Sequence, residues 1–136
     1  MDWKLELVVV PVSDVDRAKD FYAEKVGFEV DRDTRVGDDL RVVQLTPPGS
    51  ACSIAIGMGI ANMPAGSLQG LQLVVSDIGT ARSELVECGV EVGEVQKLVE
   101  GAWVDAAPPF DDWNSFVFFQ DPDGNGWAVQ LGLDRG

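Results

Sequence analysis

The sequence predicts an α+β fold made of two tandem βαβββ modules. Three observations carry this. The chain has 136 residues, the size of one domain. The run Val12-Ser13-Asp14-Val15 returns as Val75-Ser76-Asp77-Ile78, with Ala18 matching Ala81 and, after a one-residue deletion, Gly27 matching Gly89. Each copy follows an apolar, strand-like run and is itself followed by short runs bounded by turn residues. Neither copy has enough strands and core to stand alone. Modules at 1–58 and 70–136, joined by a linker at 59–69, are therefore expected to form a single domain over 1–136.

The elements follow in order. Residues 4–12 read as a buried strand ending at Pro11, which removes a ladder donor. Ser13 or Asp14 caps a helix over 14–26 whose apolar face is Val15, Ala18, Phe21, Tyr22 and Val26, and Gly27 stops it. Strands are expected at 28–34, 40–46 and 51–57, with turns at Val36–Asp39 and Pro47–Ser50. In the second module a strand at 70–75 leads to a helix over 77–88, capped by Ser76 or Asp77 and ended by Gly89. Its apolar face is Ile78, Ala81, Leu85 and Cys88, and strands at 90–96, 115–120 and 126–133 complete the module. Cys52 and Cys88 read as core cysteines, Trp3 as packing at the chain end and Trp127 as core on the helix side.

Charge and residue usage narrow the function. Ten Lys and Arg against 23 Asp and Glu give a net charge of −13. Such a chain lacks the cations that a nucleic-acid binder places on phosphates, and it repels anionic membranes. It attracts cationic ligands instead. There is no histidine, which removes Ser-His and Cys-His nucleophile systems and the commonest transition-metal ligand. The longest uncharged apolar runs, such as Leu7 to Val12, are strand-sized, and Met1 to Lys4 does not read as a signal peptide. A cytoplasmic protein is expected.

Several motifs fail on inspection. Asp121-x-Asp123-x-Asn125-Gly126 matches the start of a calcium loop, but its twelfth position is Gly132 and its flanks read as strands, so a hairpin turn is expected. Gly57-x-Gly59 lacks a third glycine and a following helix. The stretch 97–114 has low periodicity and is expected to be a long loop carrying Trp103, Phe110 and Trp113 beside Asp105, Asp111 and Asp112.

The segments VPVSDVDRAKDFYAEKVGFEV at 10–30, LVVSDIGTARSELVECGVEV at 73–92 and FFQDPDGNGWAVQ at 118–130 resemble the vicinal oxygen chelate superfamily, which comprises glyoxalases, bleomycin-resistance proteins and extradiol dioxygenases. The resemblance implies curled mixed sheets around a cleft, and a homodimer. It also implies a divalent metal held by first-strand and last-strand residues of each module. Carried onto this chain, the first-strand positions are Leu7 and Gly70. The last-strand positions are Ser53 or Ala55 in the first module and Ala128 or Gln130 in the second. These are poor ligands, so the member expected is bleomycin-resistance-like, with no metal and no cofactor.

Strand parity then divides the side chains. Val8, Val10, Ile54, Ile56, Leu71, Leu73, Val129 and Leu131 should face the helices. Leu7, Val9, Ser53, Ala55, Gly70, Gln72, Val74, Ala128 and Gln130, with Gln44, should face the cleft. The residues expected to bind a ligand are Leu7, Gln44, Ser53, Gln72, Trp103, Phe110, Trp113 and Gln130. Besides a partner-binding module whose dimer face matters more than its cleft, two functions compete. One is a protein that sequesters a small aromatic or cationic molecule. The other is a metal-independent isomerase or lyase using a carboxylate base such as Asp105 or Asp111.

Overall fold

The computed structural model describes residues 1–132, so the last residue of the strand expected at 126–133 lies outside the described residues. The chain divides into two compact units. The first comprises Met1–Leu68 with Asp121–Asn125, and the second comprises Gln69–Gln120 with the segment from Gly126 onward. Among the described residues no helix is long and apolar enough to cross a membrane.

The first unit holds β1 (Leu7–Val9), α1 (Val15–Asp20), β2 (Glu29–Val36), β3 (Leu40–Thr46) and β4 (Ser53–Met58), with sheet order β1-β4-β3-β2. β1 runs parallel to β4 and the other pairs are antiparallel. β1 is much shorter than the expected 4–12. Bonds from Ser53 N to Glu6 O and from Val10 N to Ala55 O extend it at either end, and Pro11 stops it. Residues 1–6 are exposed, Trp3 at 88%, so this tryptophan does not pack against its own chain end. Asp14 is the α1 cap and accepts from Arg17 N at 3.1 Å. The expected helix changes pitch at Phe21–Lys25, a π-helical turn closed by Val26 N donating to Phe21 O at 3.0 Å. Val15, Ala18, Phe21 and Tyr22 remain on its buried face and meet Val43, Leu45, Ile54 and Ile56 in the core.

The turn Asp121–Asn125 supplies the polar centre of this unit. Asp121 Oδ2 accepts from the Tyr22 hydroxyl and from Asn125 Nδ2, both at 2.7 Å, and its Oδ1 accepts from Asp123 N and Asn125 N at 2.9 Å. Asn125 Nδ2 also donates to Pro11 O at 2.8 Å. These carboxylate oxygens are occupied as hydrogen-bond acceptors, which accounts for the acidic spacing without a cation.

The second unit holds β5 (Leu71–Val75), α2 (Ile78–Glu87), β6 (Gln96–Val99), β7 (Ala102–Asp105), β8 (Phe116–Gln120) and β9 (Gly126–Leu131), in sheet order β5-β9-β8-β6-β7. Asp77 caps α2 through Thr80 N at 3.0 Å, and this backbone bond lowers its carboxyl pKa. The helix ends in a Schellman motif, with Val90 N donating to Leu85 O, Gly89 N donating to Val86 O, and Gly89 at φ +84°. Cys88 sits at the C-cap and is exposed, contrary to its expected core position, because the helical periodicity ends one residue earlier. Cys52 is half-buried ahead of β4. Trp127 is buried and stacks on Phe119, as expected of a helix-side residue.

Two further expectations give way. Residues 90–95 form no strand, and the Gly93 carbonyl is taken by Arg82 Nε at 2.8 Å instead of a ladder partner. The expected loop 97–114 opens with a β-hairpin of β6 and β7. Its two-residue turn is Glu100-Gly101, both at positive φ (50° and 82°), the geometry of a type I′ hairpin.

Candidate functional site

Each sheet has one face against its own helix and one open face. In the second unit α2 packs on β8 and β9, and Val117, Phe119, Trp127, Val129 and Leu131 are buried on that side. The alternate residues form the open face. Cross-strand register sets one row across it: Asp105 on β7, Gln96 on β6, Phe116 on β8, Gln130 on β9 and Val74 on β5. The next row places Phe118 beside Ala128 and Gln72.

An aromatic platform occupies this face. The rings of Phe116 and Phe118 lie nearly parallel, 6.1 Å apart, and Trp103 meets both edge-on with centroids at 5.1 Å. Trp103 is 47% exposed and Phe118 40%. Large side chains on a sheet are ordinarily covered, and these present ring surface to solvent. Trp113 stands at the β9 end. A Cβ on Gly132 would come within 2.6 Å of both the Trp113 ring and Val74 Cγ2, so that glycine is what lets the indole lie down beside Val74. Trp113 has φ +65°, a conformation disfavoured for a bulky residue, and its N donates to Leu131 O at 2.8 Å.

The polar groups of this face are anchored. Gln130 Nε2 donates to the Trp113 carbonyl at 2.9 Å, and Gln96 Nε2 donates to the Asp105 carboxylate. Gln72 is exposed beside Ala128.

The open face of the first unit is smaller and more polar. Leu7 pairs with Ser53, Val9 with Ala55, and Gln44 with Ala55. Gln44 Nε2 lies 3.4 Å from Ser53 Oγ, Ser53 Oγ is 2.6 Å from Thr46 Oγ1, and Thr46 donates to Asp31. On the opposite, helix-facing side, Arg41 forms a bidentate pair with Asp33 and a further bond to Asp16 of α1.

Of the residues expected at a ligand site, Leu7, Gln44 and Ser53 meet on the first sheet's open face. Gln72, Trp103 and Gln130 share the second sheet's open face, with Trp113 at its margin. Phe110 goes elsewhere: its ring lies against Gly79, at the start of α2. Phe116, Phe118 and Gln96 escaped the sequence reading. The signal for them is the run Phe116-Val117-Phe118-Phe119, which is apolar on both faces of its strand.

The family's metal positions can be tested on this geometry. Leu7 and Gly70 offer no side-chain donor. Ala128 and Gln130 both lie on the open face, so either register leaves at most a neutral amide, a weak ligand. Ser53 is committed to Gln44 and Thr46. Among the described residues no three of His, Cys, Asp or Glu converge. The donor set does not fit a divalent transition metal.

Comparison with known proteins adds to this picture. The model of the Glyoxalase/Bleomycin resistance protein/Dioxygenase superfamily matches residues 4–129. TnmS3, an antibiotic-binding protein from Streptomyces sp. CB03234, is similar in structure, with a TM-score of 0.75 and 32% identity, covering 97% of this chain and 98% of its own. A glyoxalase/bleomycin resistance protein from the same organism has a TM-score of 0.71 and 35% identity over 93% of this chain and 99% of its own. A superfamily member from Sphaerobacter thermophilus DSM 20745 has a TM-score of 0.74 and 26% identity over 96% and 98%.

Proposed function

Because this chain belongs to the Glyoxalase/Bleomycin resistance protein/Dioxygenase superfamily and yet carries Leu7, Gly70 and either Ala128 or Gln130 at the positions that the resemblance assigns to metal ligands, we propose that it is a metal-free binding protein for a flat organic molecule. The observation that carries this reading is the aromatic platform on the open face of the second sheet, where Trp103 and Phe118 are part-exposed and pack with the buried Phe116. An aromatic ligand laid on it covers apolar surface and gains offset or edge contacts of about 0.5–1.5 kcal/mol each beyond the buried area. The net charge of −13 favours encounter with neutral or cationic molecules over anions. That TnmS3 binds an antibiotic supports a sequestering role for a protein of this fold and similarity. Phe110 is left out of the proposed site, and Gln72 and Trp113 stand at its edge.

A screen of planar organic compounds by thermal shift, followed by calorimetry on the hits, tests the reading. Trp103→Ala should weaken binding of a platform ligand at least tenfold, the loss of a hot-spot aromatic. Unchanged affinity in that variant would remove the platform from the site. Turnover of a bound hit would replace sequestration by catalysis. We further propose a homodimer, since both sheets end in open edge strands, β1 and β2 in one and β5 and β7 in the other. Sedimentation equilibrium should return twice the 14.6 kDa chain mass at micromolar concentration. A single-chain mass would overturn it.

A further inference from the structure

The polarity of the anchored amides restricts what the platform accepts. An amide side chain has a donor end and an acceptor end, and its partners decide which end remains for a ligand. Gln96 Nε2 faces the Asp105 carboxylate, which only accepts, so the nitrogen must be the end turned to Asp105. Gln130 Nε2 lies 2.9 Å from the Trp113 main-chain carbonyl, which also only accepts. In both residues one of the two N–H donors is committed inside the protein, and among the described residues the carbonyl oxygen keeps both lone pairs for a ligand. Register places these two amides on either side of Phe116, one strand away in each direction. At sheet spacing that sets them about 10 Å apart, the span of a fused-ring molecule. Asp105, next in the same row, adds a third acceptor.

We infer that the ligand of the second sheet's open face is a flat aromatic molecule bearing hydrogen-bond donors on its rim, hydroxyl or amino groups in place of ethers, carbonyls or carboxylates. This rests on the binding reading above and adds the chemistry of the ligand's edge. A ligand with acceptors at those places leaves the Gln96 and Gln130 oxygens desolvated and unpaired. That penalty separates it from a donor ligand of the same shape.

The test uses 2,7-dihydroxynaphthalene and 2,7-dimethoxynaphthalene as probes, which share a ring system and differ in rim donors. Calorimetry on the full chain should show the diol binding about tenfold tighter than the diether. In the double variant Gln96→Met, Gln130→Met the preference should fall below about threefold while the diether binds no more weakly than before. Methionine keeps the length of the side chain and removes the acceptor. Equal binding of the two probes by the unmodified chain would overturn the donor rule and leave the aromatic platform standing. A preference that persists in the double variant would show the ether methyls to be excluded by shape, and would overturn the assignment to the amides. Binding of neither probe would overturn the platform reading, and the donor rule with it.

Discussion

Replacing Asp121 with alanine should destabilise the protein by about 4 kcal/mol, the largest single-residue effect expected here. The carboxylate takes four donors. Two of them, the Tyr22 hydroxyl and the Asn125 amide, belong to side chains fully removed from solvent. Alanine takes the carboxylate away from the Tyr22 hydroxyl and from one N–H of Asn125, whose other N–H stays on Pro11 O, at about 1–3 kcal/mol for each bond lost. Tyr22→Phe removes one donor along with its bond and should cost only about 1 kcal/mol. Urea unfolding measures both. A loss under about 1 kcal/mol for Asp121→Ala would mean that water replaces the carboxylate at no cost, and the turn would not be the polar centre described.

Arg41→Met should cost about 2–3 kcal/mol at neutral pH and progressively less as the pH falls below about 4. Arg41 is a buried cation, and its guanidinium grips both oxygens of Asp33 at 2.8–3.0 Å. Lys19 reaches the same carboxylate at 2.9 Å, so the variant does not leave Asp33 wholly unpaired. Hydrogen bonds from Arg41, then Lys19, hold the Asp33 carboxyl far below the usual carboxylate range. The folded state therefore binds this proton less readily than the unfolded chain does. The resulting stability is complete above the ordinary carboxylate pKa, near 4, and drains away as pH falls below it. In Arg41→Met the Asp33 pKa moves back up, so the acid limb of stability flattens. Thermal unfolding from pH 7 to pH 3 reads the start of this loss, with the gap between the two proteins narrowing once the pH falls below about 4. Parallel curves would show that Asp33 does not depend on Arg41 for its ionisation.

Much of the fold was readable because local chemistry and tertiary packing agree. Asp77 and Gly89 bracket α2 as cap and stop, and the strand expected at 40–46 occurs over Leu40–Thr46. Parity along β1, β4, β5 and β9 sorted the open faces correctly, since a one-residue slip would have turned the core outward. The β6–β7 hairpin was hidden because its turn is Glu100-Gly101. Glutamate is a poor residue for positive φ, whereas Asn or Asp before Gly would have announced the turn. Residues 90–95 misled because an alternation such as Val90-Glu91-Val92-Gly93 is shared by strands and by extended connections, and only ladder partners tell them apart. The platform was missed for a related reason. Phe116 and Phe118 sit in a strand apolar on both sides, which reads as a doubly buried strand until β8 is seen to have only one helix-covered face.

The first unit is assembled from two distant stretches of chain, with Asp121–Asn125 completing what residues 1–68 begin. Vectorial synthesis therefore makes its N-terminal part long before the loop that Tyr22 and Pro11 require. Until that loop emerges, the nascent first half lacks the Asp121 carboxylate that accepts from Tyr22 and the Asn125 amide that joins Gly66 N on the Pro11 carbonyl, and closing a span of about a hundred residues is slow. A fragment cut in the 59–69 stretch would inherit the same defect. Fragment complementation at that site would succeed only when the second piece carries the loop.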